Sequence, residues 1–308
     1  MQKDLSRPLS LVTGGAGFIG SHIVDKLLKM GHSVICIDNE SSECHDNFYW
    51  NNNAKNYKYD ICDYEKIKDL FMGVDYVFHL ASDARIQPAI LNPRKSIETN
   101  VIGTSNILEL SRKNNIKRFI YSSTSSAYGK DNVYPNTEFQ KADPLTPYSS
   151  AKVFGEHLCK IYNNLYGLKT ISLRYFNVYG DRQPIKGQYA PVIGLFIRQH
   201  KADLPLTVVG SGEQRRDFTH VSDVVESNIL AATVGIDTKN FGEVYNIGTG
   251  FNYSINEVAS MVSDNVVFIP ERPGESSITL ADNTKAKNIL GWKPEINLID
   301  WVRTNKRN

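Results

Sequence analysis

Tyr148 and Lys152 stand four residues apart in Tyr-Ser-Ser-Ala-Lys, at the start of a helical pattern running to about Asn164. Residues at that spacing share one helical face, so a phenol and an ammonium can serve one site. A cation beside a tyrosine favours the phenolate and lowers its ordinary pKa of about 10, making it a base near neutrality. The pattern alone is weak, because a packed tyrosine and a surface lysine give the same letters. Its company is stronger. Thr124, in Ser-Ser-Thr-Ser-Ser-Ala-Tyr-Gly (122–129), lies just past the apolar run Arg118–Ser122. Ligands of open parallel sheets bind beyond the C-terminal ends of the strands, where a hydroxyl can bond a reacting oxygen. Thr124, Tyr148 and Lys152 are the candidate catalytic residues.

A second cluster suits phosphate. Gly14, Gly17 and Gly20 recur three apart, directly after the apolar run Leu9–Thr13 and at the opening of an amphipathic stretch, Gly17–Met30. Glycine permits the tight turn and the close backbone approach, and the N–H groups opening a helix attract a pyrophosphate. Asp38 follows the next apolar run, where a carboxylate can accept from a ribose 2′-hydroxyl and repel a 2′-phosphate. The expected ligand is NAD rather than NADP.

These groups need a scaffold. Short apolar runs at Leu9–Thr13, Ser33–Ile37, Tyr57–Tyr59, Tyr76–Leu80, Arg118–Ser122 and Lys169–Arg174 alternate with helical patterns. The longest of those patterns are Pro93–Asn114 and the one holding Tyr148. Such alternation predicts an α/β fold with a doubly wound, Rossmann-type parallel sheet covered on both faces. After Tyr179 the pattern breaks, which predicts a smaller, irregular C-terminal lobe. The expected division is a dinucleotide domain over 1–180 and a substrate lobe over 181–308, with the chain crossing back between them.

Composition bounds the rest. A chain of 308 residues, 41% hydrophobic and 22% charged, has the balance of a globular protein with a proper core. A formal charge of +2 gives no electrostatic case for a nucleic-acid partner. Cys36, Cys44, Cys62 and Cys159 form no C-x-x-C pair, and the seven histidines are dispersed, so neither a disulfide scaffold nor a metal site is expected. No run approaches the roughly 18 apolar residues of a membrane span, and no secretory leader stands at the N-terminus. A soluble, cytoplasmic protein is expected.

Further motifs carry a resemblance. They are TGGAGFIG (13–20), HLAS (79–82), SSTSSAYG (122–129), YSSAK (148–152), RYFNVYG (174–180), RRDFTHVSDV (215–224), YNIGTG (245–250), RPGE (272–275) and LGW (290–292). In that order they resemble the extended short-chain dehydrogenase/reductase family, in its nucleotide-sugar epimerase/dehydratase branch. The resemblance implies a cofactor cradle of Gly14, Gly17, Phe18, Ile19 and Gly20, with Asp38 and Asn39 at the ribose and Asp60 and Ile61 at the adenine. It adds Leu80, Ala81, Ser82, Asn100, Ser122 and Tyr175 along the dinucleotide, with Lys152 on the nicotinamide ribose. For a nucleotide sugar it implies Ser125, Ser126, Asn177, Arg216, Arg272, Glu275 and Thr279, with Arg216 and Arg272 clamping the diphosphate. It also implies a homodimer through the helices Ile97–Lys113 and Ser149–Asn164.

The implied reaction is inversion at C4 of a UDP-sugar through a transient 4-keto form. Dehydratases of the branch carry Thr-Asp-Glu and decarboxylases Thr-Ser-Glu where this chain has Thr124-Ser125-Ser126, without a carboxylate for elimination. Those reactions, a related reductase and a catalytically silent NAD-binding protein stand as alternatives. Thr279 resembles a position where a bulky tyrosine excludes 2-acetamido sugars, so glucose/galactose and their N-acetyl forms are both expected. Arg85 stands where relatives usually have a small residue, and a cation there suits a uronic carboxylate unless Asp83 pairs with it. That makes a UDP-uronate 4-epimerase a further alternative. Asp181 replaces the proline usual after RYFNVYG.

Overall fold

The computed structural model describes residues 7–42, 45, 47–130, 133–185, 190–274 and 276–306. Seven strands form its central sheet: β1 (Leu9–Thr13), β2 (Ser33–Asp38), β3 (Lys55–Lys58), β4 (Tyr76–His79), β5 (Arg118–Thr124), β6 (Thr170–Tyr175) and β7 (Glu243–Ile247). Their spatial order is 3-2-1-4-5-6-7, and every pairing is parallel. The order reverses between β1 and β4, which opens a crevice at the C-terminal ends of the strands.

Alternate residues of each strand feed two cores. Val12, Phe78 and Ile120 point to one face and pack with Ile23, Val24 and Leu27 of α1 (Phe18–Lys29). Leu11, Val77 and Phe119 point to the other and meet Ile107 and Leu108 of α2 (Thr104–Lys113) and Cys159 of α3 (Pro147–Tyr166). Burial on both faces explains why these strands read as continuous apolar runs rather than alternating ones. Local signals set the ends of α3: the Thr146 side chain accepts from the Ser149 N–H, Pro147 sits in the first turn, and Gly167 closes the helix at φ +71°.

Three expectations about elements are corrected. The predicted single helix over 93–114 is interrupted by a π-helical turn at Glu98–Gly103, around the buried side chain of Asn100. Strand β5 extends two residues further than its apolar run and ends on Thr124, because Ser122, Ser123 and Thr124 still pair with β6. The third strand is Lys55–Lys58 rather than 57–59; it lies at the sheet edge with mostly exposed side chains, so apolar pattern placed it poorly.

Beyond residue 180 the chain builds a second core from Ile193, Phe196, Leu206, Val208, Val258 and Val302, among others. It also returns to the sheet, adding α4 (Val221–Thr233) and β7. Among the described residues, no helix is long and apolar enough to cross a membrane, and no group of three His, Cys, Asp or Glu side chains is placed to hold a metal ion.

Candidate active site

A cavity of about 880 Å³ runs along the C-terminal edge of the sheet, from the glycine-rich turn to the second lobe. The three glycines serve it differently. Gly14 has φ +68°, and a Cβ there would lie 2.7 Å from the Ala81 nitrogen, so only glycine fits beside the end of β4. A Cβ on Gly20 would lie 2.0 Å from the Gly14 carbonyl oxygen; its absence lets α1 start tight against the turn. Gly17 has ordinary space around it within the protein, but it lines the cavity at the N-cap of α1, where no side chain caps the helix. The N–H groups of that first turn are left for an anion. Phe18 and Ile19 line the same end.

Substituting alanine for Gly20 is expected to cost about 1–3 kcal/mol through overpacking and to reduce the dinucleotide carried by the purified protein. Thermal denaturation and the absorbance of ligand released on unfolding check both.

Asp38 ends β2 facing the cavity and is buried. One carboxylate oxygen accepts from Ala16 N–H at 3.1 Å and the other from Glu40 N–H at 2.8 Å. Burial pushes its pKa up, and those N–H donors pull it down. Each oxygen keeps a lone pair for a ribose hydroxyl. Asn39 and Ile61 line the cavity, whereas Asp60 acts behind them, accepting from Asn39 at 2.8 Å and from Cys62 N–H at 2.8 Å. Leu80, Ala81 and Ser82 form the wall after β4. Asn100 lies beneath it: its oxygen accepts from the Ser82 hydroxyl at 2.8 Å and from Asp83 N–H at 2.9 Å. Asn100 therefore shapes the wall without lining it.

The strand end and the first turns of α3 bring Thr124, Tyr148 and Lys152 to one cavity wall. Burial raises the Tyr148 pKa; hydrogen bonding by Thr124 and the charge of Arg85 lower it, and Asp83 raises it again. Lys152 is buried, and burial lowers its pKa to about 7. Its Nζ donates to the Ser122 carbonyl at 2.8 Å and sits 4.9 Å from the Tyr121 ring centroid. The Lys152 ammonium is thus engaged by the end of β5, while Thr124 and the charge of Arg85 act on the Tyr148 hydroxyl.

The second lobe supplies the opposite wall. Arg216, Arg272 and Thr279 line it, and Asn177, Ser125, Ser126 and Tyr175 line the same cavity. The Asn177 amide donates to the Asp217 carbonyl at 3.1 Å and to the Thr279 hydroxyl at 3.0 Å, so both its donors are engaged within the protein. Tyr175 donates to Asn228 at 3.0 Å. Arg216 donates to the Arg215 carbonyl at 3.0 Å. Glu275 lies outside the described residues.

Several supporting residues escape a reading of the sequence. Asp217 is buried and accepts from Thr249 N–H, the Thr249 hydroxyl, Gly250 N–H and Ala281 N–H at 2.7–3.0 Å, binding together the loops that carry Thr279. A Cβ on Gly155 would meet the Tyr121 hydroxyl at 2.2 Å, so that glycine lets α3 settle against β5. Glu156 is buried and pairs bidentately with Arg174 at 2.7 and 2.8 Å. Glu156 continues the four-residue spacing of Tyr148 and Lys152 along α3, a signal that extending the pattern by one turn would have found.

The chain matches known proteins along most of its length. The model of the NAD dependent epimerase/dehydratase family matches residues 10–248. The chain is similar to the crystal structure of UDP-glucose 4-epimerase with UDP-glucose from Thermotoga maritima, at 37% identity, covering 97% of each chain, with a TM-score of 0.90. It is similar to a UDP-N-acetylglucosamine 4-epimerase from Methanobrevibacter ruminantium M1, solved in complex with UDP-N-acetylmuramic acid. That match has 32% identity, covers 98% of this chain and 97% of that one, and has a TM-score of 0.89. A UDP-glucose 4-epimerase of Mycolicibacterium smegmatis is 32% identical over 95% of this chain and 96% of its own length.

Proposed function

The chain belongs to the NAD-dependent epimerase/dehydratase family, and from that premise we propose that it inverts C4 of a UDP-sugar through a transient 4-keto form. The sugars are glucose and galactose or their N-acetyl forms. One observation carries the reading: the Thr124–Tyr148–Lys152 wall and the glycine-rich turn share one cavity, and Ser125 and Ser126 add hydroxyls but no carboxylate. Epimerisation needs no further acid or base, whereas loss of water does.

The residues fit the cofactor. The uncapped start of α1 receives the pyrophosphate, and Asp38 takes the ribose hydroxyl, which favours NAD over NADP. When bound, the dinucleotide supplies a reversible hydride acceptor. Tyr148 accepts the C4 hydroxyl proton through its phenolate oxygen, and Thr124 holds both oxygens in line. Lys152, also on this wall, would hold the nicotinamide ribose. Arg216 and Arg272 grip the diphosphate, because guanidinium forks match phosphate oxygens. With binding energy placed there, the flat 4-keto ring is free to turn and take hydride back on its other face.

In this reading residues 1–180 hold the dinucleotide, and the lobe within 181–308 closes over the nucleotide sugar. Ile102 beside α2 and Phe154, Ile161 and Leu165 of α3 are exposed and apolar, which supports a homodimer through these helices. The free thiols Cys36, Cys62 and Cys159 support a reducing, cytoplasmic location.

Incubating the purified protein with UDP-glucose and no added NAD, then separating the nucleotide sugars by chromatography, tests the reading. UDP-galactose should appear without net NADH, and the N-acetyl pair should interconvert likewise. A 6-deoxy-4-keto product, or NADH formed in step with substrate lost, would contradict it.

A further inference from the structure

Residues 180–184 follow the RYFNVYG motif and lead into the second lobe, yet they reach back to α1 at the dinucleotide end. The turn is held from both sides. Gln183 N–H donates to the Gly180 carbonyl at 3.2 Å, and the Gln183 side chain packs against Gly194 of the helix Val192–Lys201, where a Cβ would lie 3.0 Å from it. From α1, His22 Nε2 donates to the Asp181 carbonyl at 2.8 Å. Arg182 between these anchors has φ +62°, a backbone conformation that an arginine rarely takes.

The Arg182 guanidinium meets two groups. Nη2 lies 2.7 Å from one carboxylate oxygen of Asp25 on α1, and Cζ lies 3.5 Å from the centroid of the Tyr49 ring. The other Asp25 oxygen accepts from the Asn51 amide at 2.7 Å, and Tyr49 N–H donates to the Ala16 carbonyl at 2.9 Å. Residues 49–51 are thereby fastened to the glycine-rich turn and its helix. The adjacent Phe48 lines the cavity together with Gly17 and Asp38, where the pyrophosphate and the ribose sit in the reading above. One segment thus faces the dinucleotide through Phe48 and Arg182 through Tyr49.

A surface ion pair is weak by itself, and so is an exposed cation–π contact. Here one planar guanidinium makes both, at its edge and on its face, which an ammonium cannot do. Its side chain is 30% exposed and that of Asp25 18%. The proposed reaction gives such a contact a task. C4 inversion returns hydride from the dinucleotide that received it, so a site that lets go in mid-cycle strands a 4-keto sugar.

We propose that Arg182, with Asp25 and Tyr49, forms a clasp that fixes residues 48–51 over the dinucleotide and sets how long it stays bound. Arg182 is a positioning residue: it does not line the cavity and acts through the Tyr49 segment. The proposal rests on the NAD-binding reading of the glycine-rich turn and adds what keeps that end closed.

The test mixes the purified, NAD-loaded protein with an excess of thionicotinamide adenine dinucleotide and follows the NAD released into the filtrate by chromatography. Release should be about 10-fold faster in Arg182→Ala than in the wild type, the scale of one cation–π contact and one partly exposed ion pair together. Arg182→Lys keeps the charge without the flat face and should fall between. Tyr49→Leu should also speed release, and its combination with Arg182→Ala should release no faster than the faster single variant, because both remove the same contact. Lys26→Ala breaks the 3.0 Å pair with Glu226 on the same helix and should release like the wild type. Unchanged release from Arg182→Ala would overturn the clasp. So would effects of Arg182 and Tyr49 that multiply, or a Lys26→Ala variant as fast as Arg182→Ala, since general loosening of α1 would then explain both. A wild type that yields no NAD on denaturation fails the NAD reading itself. One that yields NAD and is indifferent to Arg182 fails only the clasp.

Discussion

Replacing Tyr148 with phenylalanine should lower kcat for C4 inversion by about 10²–10⁴-fold, the usual contribution of a positioned general base. The substitution removes one oxygen from a buried wall and leaves the ring that fills it. That oxygen is hydrogen-bonded by Thr124 and feels the charges of Arg85 and Asp83. The melting temperature, the retained dinucleotide and the affinity for UDP should therefore stay close to wild type. The pH profile adds an independent readout. Burial holds the Tyr148 pKa up, so the fraction present as phenolate grows with pH and wild-type kcat/KM should climb on its alkaline side. The residual activity of the variant should lack that limb. A variant that keeps substantial turnover with the wild-type pH profile would remove Tyr148 from the chemistry altogether.

Much of this site is legible in the sequence where chemistry constrains short spacings. The glycine turn, Asp38 at a strand end and the Tyr148–Lys152 pair each fall within one strand–turn–helix unit, so local pattern places them. What the sequence hides depends on distant partners. Asp217 looks like one acid among many until Thr249, Gly250 and Ala281 converge on it. The resemblance puts Asn100 along the dinucleotide, yet it sits in a π-helical turn and braces the wall at Ser82 and Asp83 from beneath. Strand β7 was unreadable because its neighbour in the sheet, β6, lies far back in the chain, across the lobe that separates them. The Lys152 contact is hidden for a related reason. Helical spacing says that Lys152 shares a face with Tyr148, but not that the Ser122 carbonyl claims its ammonium.

The second large effect is expected at Glu156, which touches neither cofactor nor sugar in the proposed reading. Glu156 and Arg174 are both buried, at 3% and 5% side-chain exposure, and tie α3 to β6. The Ser123 hydroxyl donates to the same Glu156 carboxylate at 2.5 Å. The Arg174 guanidinium lies 4.6 Å from the Tyr128 ring centroid. Glu156→Gln keeps the volume but strands the Arg174 charge in the interior, which costs about 3–5 kcal/mol for a buried pair broken on one side. That should lower the melting temperature by on the order of 10 °C, as read by calorimetry. A second consequence follows from position. Ser123 stands between Ser122, which receives the Lys152 ammonium, and Thr124, so loosening Glu156 frees the strand end that carries the catalytic wall. The kcat should therefore fall even at temperatures where the variant is folded. The double substitution Glu156→Leu with Arg174→Met removes both charges, so it should recover most of the lost stability. It should not recover kcat, because a leucine side chain offers the Ser123 hydroxyl no acceptor. If stability and kcat returned together, the pair would be only a fold element, and the alignment of β5 with α3 would not need it.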